Sequence, residues 1–259
     1  MFPFFTIFGH PIPMYGLMIA CGAALGVLRA VYSPRNRDIP RQDIFFSACY
    51  AGVGVFIGAK LLYLLITLPQ LLLRPDAPKP SLALIATLFS GGFVFYGGVF
   101  GALFFLHLYT RKYKLPYMRT METLVPSIPL IHAMGRLGCF FAGCCYGMPV
   151  APPWGVTFKA GSAAPSGVSL LPVQLYEAGL NLILFILLLL YAKKRPAEGK
   201  LLGLYLAGYA CIRFFLEFFR YDAARGMILG LSTSQWISIL LLPVGIILLT
   251  RKQRGEEAQ

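Results

Sequence analysis

Residues 135–147 read GRLGCFFAGCCYG, and they set an arginine, four glycines and three cysteines where hydropathy marks the end of a membrane-spanning segment. An arginine in hydrocarbon costs about 2.5 to 3.5 kcal/mol on insertion scales, so an ionisable residue at such a place points to function. Fold and function both turn on what Arg136 binds.

Outward from this stretch the chain stays apolar. Of 259 residues, 58% are hydrophobic and only 13% charged, and the mean hydropathy is +0.70. Soluble domains do not have this composition. About 20 apolar residues cross a bilayer as a helix, and seven runs qualify: 12–32, 44–68, 82–109, 121–145, 175–191, 201–219 and 236–249. The expected fold is an all-α integral membrane protein of seven transmembrane helices. No short apolar stretch with a small-residue cleavage site precedes the first run, so no cleaved signal peptide is expected. The six cysteines show no disulfide-framework spacing.

The net charge of +13 suggests nucleic acid until its distribution is considered. The connections after the first, third and fifth runs, with the tail, carry 14 basic residues: Arg35, Arg37, Arg41, Arg111, Lys112, Lys114, Arg119, Lys193, Lys194, Arg195, Lys200, Arg251, Lys252 and Arg254. The other connections hold 5, namely Arg74, Lys79, Lys159, Arg220 and Arg225. The excess is a topology signal: the N-terminus is outside, the C-terminus is cytoplasmic, and no nucleic-acid partner is implied. No repeat, low-complexity tract or linker divides the chain. Residues 1–259 therefore read as a single polytopic membrane domain, with residues 146–172, rich in Pro, Gly and Ser, as an outer-surface loop.

Four basic residues remain within runs: Arg29, Lys60, Arg136 and Arg213. Arg29, one turn from the cytoplasmic end, is placed to snorkel. The other three fall beyond the midpoints of outward-running spans, in the outer half. Glu217 and Arg220 follow Arg213 at helical steps along one face about 10 Å long. PVQLYEA at 172–178 opens an inward-running span, which adds Gln174, Tyr176 and Glu177 at the same depth, and Tyr15 of PMYG joins them. One reading is structural, with Arg213 paired to Glu217 and Arg136 to Glu177 to pin helices together. The other is a binding site, because buried ions stabilise poorly and more often mark pathways or sites. Lys60, Arg136, Arg213 and Arg220 outnumber the two glutamates, so an anion is expected. Guanidinium matches phosphate bidentately, and the outer leaflet presents phospholipid headgroups at this depth. Residues 91–101, GGFVFYGGVFG, would allow close approach of a neighbouring helix or a lipid around Tyr96, Gly97 and Gly98.

GRLGCFFAGCCYG resembles the signature of prolipoprotein diacylglyceryl transferases, and PMYG, IGAK (57–60), FYGG (95–98), PVQLYEA and RFFLEFFRYD (213–222) resemble that family's other blocks in the same order. The resemblance covers nearly the whole chain. It implies a seven-span enzyme of the bacterial cytoplasmic (inner) membrane that moves the diacylglyceryl group of phosphatidylglycerol to the lipobox cysteine thiol of a prolipoprotein and releases glycerol phosphate. It implies phosphatidylglycerol, or another anionic phospholipid, and precursor lipoprotein signal peptides as partners, and no cofactor. Arg136 and Arg213 would hold the phosphate and stabilise leaving-group charge, Glu217 would orient Arg213, Gln174, Tyr176 and Glu177 would shape the site, and Gly147 would close the signature.

The chain departs from the family pattern at Cys139, Ala142 and Cys144, where the family has Asn, Asn and Glu, and at Tyr96, where many members have His. The nucleophile must be a thiolate, and the usual candidate base is missing. His132, one turn before Arg136, or Tyr96 could replace it, although a lone His in a span is more often a packing residue. The C-x4-C-C spacing of Cys139, Cys144 and Cys145 is not a common zinc pattern, and no metal is expected. Two other readings stay open: a related membrane lipid- or acyl-transfer or thiol enzyme using those cysteines, and a non-enzymatic phospholipid-binding or transport protein.

Overall fold

A computed structural model of the chain describes residues 4–7, 10–34, 38–72, 82–159, 161–221 and 227–251. Of the residues used above, Arg35, Arg37, Arg74, Lys79, Asp222, Arg225, Lys252 and Arg254 lie outside these. The helices are α1 (Met14–Val31), α2 (Arg41–Leu72), α3 (Leu82–Ser90), α4 (Phe95–Lys112), α5 (Tyr117–Leu124), α6 (Ser127–Ala142), α7 (Val173–Lys193), α8 (Lys200–Glu217) and α9 (Thr233–Thr250). Three two-stranded antiparallel ribbons lie in the connections: β1 (Phe4–Ile7) with β2 (His10–Pro13), β3 (Val156–Thr157) with β4 (Ser169–Leu170), and β5 (Met227–Ile228) with β6 (Leu231–Ser232). Among the described residues five helical segments are long and apolar enough to cross a membrane: Met14–Val31, Arg41–Leu71, Tyr117–Ala142, Val173–Lys193 and Thr233–Thr250. The protein is a helical integral membrane protein, and Phe56, Leu65, Phe100, Ile183 and Leu240 stand outward as lipid-facing side chains do.

The third predicted span is not one helix. It breaks between α3 and α4 at residues 91–94, where two adjacent glycines weaken the helix. Lys60 on α2 fills the break: its Nζ donates to the Gly91 carbonyl at 3.0 Å and lies 4.9 Å from the ring centres of both Tyr63 and Phe93. The Val94 N–H donates to the Ala59 carbonyl at 3.1 Å, so each side of the break has a partner on α2. The fourth predicted span likewise has a turn at Val125–Pro126 between α5 and α6.

The chain forms two compact units, residues 36–121 and residues 1–35 with 122–259. In the 36–121 unit α2 and α4 meet through Gly54, Gly58, Gly97 and Gly101. A Cβ on Gly101 would collide with the carbonyl of Gly54, and one on Gly58 with that of Gly97. This is the small-xxx-small packing of membrane helices, repeated on both partners.

The other unit packs α1 on α6, α6 on α7, α7 on α8 and α8 on α9. Polar contacts fix the ends of its helices. Ser127 Oγ donates to the Gly26 carbonyl at 2.7 Å, and Arg29 does not reach for solvent but donates to the Thr123 carbonyl at 2.7 Å. The fully buried Glu122 accepts from the N–H groups of Leu201 and Leu202 at 3.0 and 3.4 Å and so caps α8. Ser232 and Gln235 form a capping box that starts α9 and fixes Ser234 in its first turn.

Candidate active site

The second unit gathers four charged residues from three helices. Glu177 on α7 is the centre, 2% exposed. Its Oε1 lies 3.0 Å from Arg136 Nε of α6, and its Oε2 lies 3.8 Å from Arg213 Nη1 of α8. Arg213 Nη2 completes the cluster, 2.6 Å from Glu217 Oε2 one turn on and 3.0 Å from Ser234 Oγ of α9. Asn181 Nδ2 donates to the Glu177 carbonyl at 2.8 Å. Both pairs expected from the sequence are present, and one carboxylate shared by two guanidiniums links them.

The cluster is not satisfied by itself. Arg213 is 8% exposed, and its Nη1 has no hydrogen-bond partner among the described residues. A buried donor in that state costs about 1–3 kcal/mol. Arg136 makes its ion pair through Nε, and no further hydrogen bond of its guanidinium occurs among the described residues. The site thus holds donor capacity on two planar cations in a place of low dielectric. An oxyanion matches that capacity.

Beside the arginines the chain turns sharply. Gly143 ends α6 at φ 72°, in the left-handed conformation that suits glycine, and the Cys144 N–H donates back to the Cys139 carbonyl at 3.1 Å. Gln174, 1% exposed on α7, holds the turn from outside through Nε2, which donates to the Cys144 carbonyl at 2.8 Å. Gly147 then passes between residues 171 and 220: its N–H donates to the Leu171 carbonyl at 3.0 Å and it pairs with Arg220. A Cβ there would lie 2.8 Å from the carbonyl oxygens of both Leu171 and Phe219, so the closing glycine is a close-approach position. Beyond it, residues 146–172 build a small core of Phe158, Ala164 and Leu170 against Phe140 and Tyr146.

Tyr15 enters from α1, where the lack of a side chain at Gly138 admits its backbone; a Cβ would sit 3.0 Å from Tyr15 Cα. It is an electrostatic neighbour of Arg136, Cys139 and Cys144. Arg220 acts on Arg213 and Cys145 in the same way. His132 packs its ring 5.1 Å from that of Tyr209.

The remaining expected residues have surroundings of their own. Tyr176, 46% exposed, is off the buried face of α7 that carries Gln174 and Glu177. Lys60, Tyr96, Gly97 and Gly98 belong to the 36–121 unit, where Lys60 closes the helix break and both glycines are buried against α2. Tyr96 is 38% exposed, edge-on to Phe95. Asn181 had no sequence signal beyond being polar in an apolar run, and Ser234, just before the last run, had none.

The sequence profile described as prolipoprotein diacylglyceryl transferase matches residues 3–251. The chain belongs to this family. A relative from Clostridium tetani, called phosphatidylglycerol--prolipoprotein diacylglyceryl transferase, is 35% identical over 242 residues, covering 93% of this chain and 94% of its own. A relative of the same name from Chlorobaculum tepidum is 37% identical over 267 residues, 98% and 91% of the two chains, and one from Clostridium perfringens, its name ending in 2, is 34% identical over 257 residues, 97% of each. Family membership is therefore a property of the whole chain, signature cysteines included.

Proposed function

We propose that this chain transfers the diacylglyceryl group of phosphatidylglycerol to the lipobox cysteine thiol of a prolipoprotein. The observation that carries the reading is the Arg136–Glu177–Arg213 arrangement with Arg213 Nη1 buried and, among the described residues, without a hydrogen-bond partner. In that role the two guanidiniums grip the phosphate of the headgroup, and their charge stabilises the oxygen that leaves as glycerol phosphate. Glu177 keeps both cations in register and Glu217 orients Arg213. Gln174 and Gly147 shape the adjoining turn, and Tyr15 and Arg220 border it. Tyr176 and, from the 36–121 unit, Lys60, Tyr96, Gly97 and Gly98 are retained as proposed contacts with substrate; His132 and Tyr96 are the proposed bases.

The chain works as one polytopic domain in the bacterial inner membrane, with seven crossings, the third made by α3 with α4 and the fourth by α5 with α6. Its N-terminus is outside, its C-terminus cytoplasmic, the cluster in the outer half and residues 146–172 on the outer surface. The spread of basic residues over the connections supports this orientation. A cysteine label placed near Lys159 should react from outside, and a reporter fused after Arg254 should be active only inside; the reverse would refute the placement.

Activity is tested by incubating the purified chain with phosphatidylglycerol and a lipobox peptide. Mass spectrometry should find a diacylglyceryl thioether on the peptide and an equal amount of glycerol phosphate. A diacylglyceryl or acyl adduct on the chain's own cysteine, or no product, would overturn the reading.

A further inference from the structure

The turn after α6 assembles a group of side chains that phosphate binding does not use. The sulfurs of Cys139, Cys144 and Cys145 all lie within 4.8 Å of one another. Their spacing in sequence does not announce this. Two features produce it: Gly143 at φ 72°, and Cys145 itself at φ 59°, a left-handed conformation strained for a residue with a side chain. Such a conformation costs about 1–3 kcal/mol and persists only where its surroundings impose it, which is why it concentrates at functional sites. The surroundings here are the Cys144 N–H bond to Cys139 and the grip of buried Gln174 on the Cys144 carbonyl.

We propose that Cys139, Cys144 and Cys145 bind a thiophilic divalent cation of the zinc class as three thiolates, leaving a fourth position open for the acceptor thiol. Zinc–sulfur bonds of about 2.3 Å put tetrahedral sulfurs roughly 3.8 Å apart. Sulfurs already within 4.8 Å reach that spacing by side-chain rotation. Cys139 is 7% exposed while Cys144 and Cys145 are partly open, so the group is closed on one side and accessible on the other. Three protein ligands with one free position is the arrangement of catalytic zinc, as opposed to the closed four-ligand structural site. A disulfide would use two of the sulfurs and leave the third without a role; a cation uses all three.

Charge is consistent with this. Three thiolates around a dication leave one negative charge, and Arg136 and Arg220 both act on Cys145, Arg136 also on Cys139.

The inference rests on the transferase reading and gives the acceptor sulfur a second route to the thiolate, besides the bases named above. A thiol bound to such a cation is deprotonated outright, its proton passing to solvent. The bound sulfur then attacks the glycerol carbon esterified to phosphate. The C–S bond forms as the C–O bond breaks, the oxygen keeps the electron pair, and glycerol phosphate departs. No electrons are exchanged with a third party.

The test uses the full chain, purified in detergent under reducing, metal-free conditions and titrated with Zn2+ and with Co2+. About one ion per chain should bind, with the intense sulfur-to-metal absorption of a cobalt thiolate site. Cys139→Ser and Cys144→Ser should lose both signals, whereas the combined Cys21→Ser, Cys49→Ser, Cys211→Ser variant should keep them. Thermal unfolding of each variant without metal separates lost ligation from lost fold. Adding a lipobox peptide should change the cobalt spectrum, and its Cys→Ser counterpart should not. No binding by the wild type, undiminished binding by Cys139→Ser, or recovery of two of the three thiols as a disulfide would overturn the proposal. So would thioether formation by the metal-free chain at the full rate, which leaves the transferase reading standing. One bound ion per chain that responds to the peptide, with no thioether ever formed, supports the site and fails the transferase reading instead.

Discussion

Two helix interfaces in this protein are made of opposite materials. Between α2 and α4, four glycines bring backbone against backbone with no room for a methyl group. Across α6, α7 and α8, two arginines and two glutamates meet below the surface, and one guanidinium nitrogen has no hydrogen-bond partner among the described residues. In lipid, close packing of small residues is enough to associate helices. Buried ion pairs lose several kcal/mol per ion to desolvation and return it only with full hydrogen bonding. The glycine contact therefore explains adhesion, and the charged contact has to be explained by something it binds. The difference separates what holds this chain together from what it does.

The comparison breaks most visibly at the glycines. Gly101→Leu drives a side chain into the Gly54 carbonyl, and overpacking of this kind costs about 1–3 kcal/mol even where neighbours can yield. Here the neighbour is backbone. The expected outcome is loss of monodisperse protein on size exclusion, with activity lost only because the protein is lost; normal yield would show that α2 and α4 do not depend on this contact.

Glu177→Gln tests the converse. Removing the carboxylate shared by Arg136 and Arg213 leaves two cations facing each other without compensation, which costs about 3–5 kcal/mol for a buried pair. The melting temperature should fall and transfer should be abolished, with Asp restoring part of each. Unchanged stability would mean that water already reaches these charges.

Arg136→Lys keeps the charge and loses the planar fork. Transfer should fall more than about tenfold, an effect of roughly 1.4 kcal/mol on the barrier, without a matching loss of stability. Smaller still are the effects at the rim. Arg220→Lys and Tyr176→Phe should each change turnover by less than about threefold, under roughly 0.7 kcal/mol, since lysine keeps the positive charge that Arg220 brings to Arg213 and Cys145 and Tyr176 lies off the buried face that carries Glu177. A tenfold loss at Tyr176 would move the substrate to the other side of α7.

Much of this contrast was legible in the chain. Arg213 and Glu217 are four residues apart on one helix, so their pairing follows from helical geometry, and the pairing of Arg136 with Glu177 follows from two charges stranded at one depth. Lys60 illustrates what was not. Its charge counted toward the anion site, yet its ammonium is taken up by a carbonyl 31 residues away, because a helix break at Gly91 exposes that carbonyl. Hydropathy is indifferent to such a break. Helical phase separates Tyr176 from its neighbours: Gln174 and Glu177, three apart, share a buried face that the residue between them does not. The meeting of three cysteines depends on two left-handed residues, and Cys145 carries no sequence mark of that conformation.

The central claim is that Arg213 is buried to bind phosphate and not to hold helices. Its most direct test is Arg213→Lys, assayed for thioether formation from phosphatidylglycerol alongside its thermal unfolding. The account predicts turnover reduced more than about tenfold in a protein whose unfolding midpoint stays near that of the wild type. Full turnover in the lysine variant, or a loss of turnover matched by a collapse in stability, would contradict it.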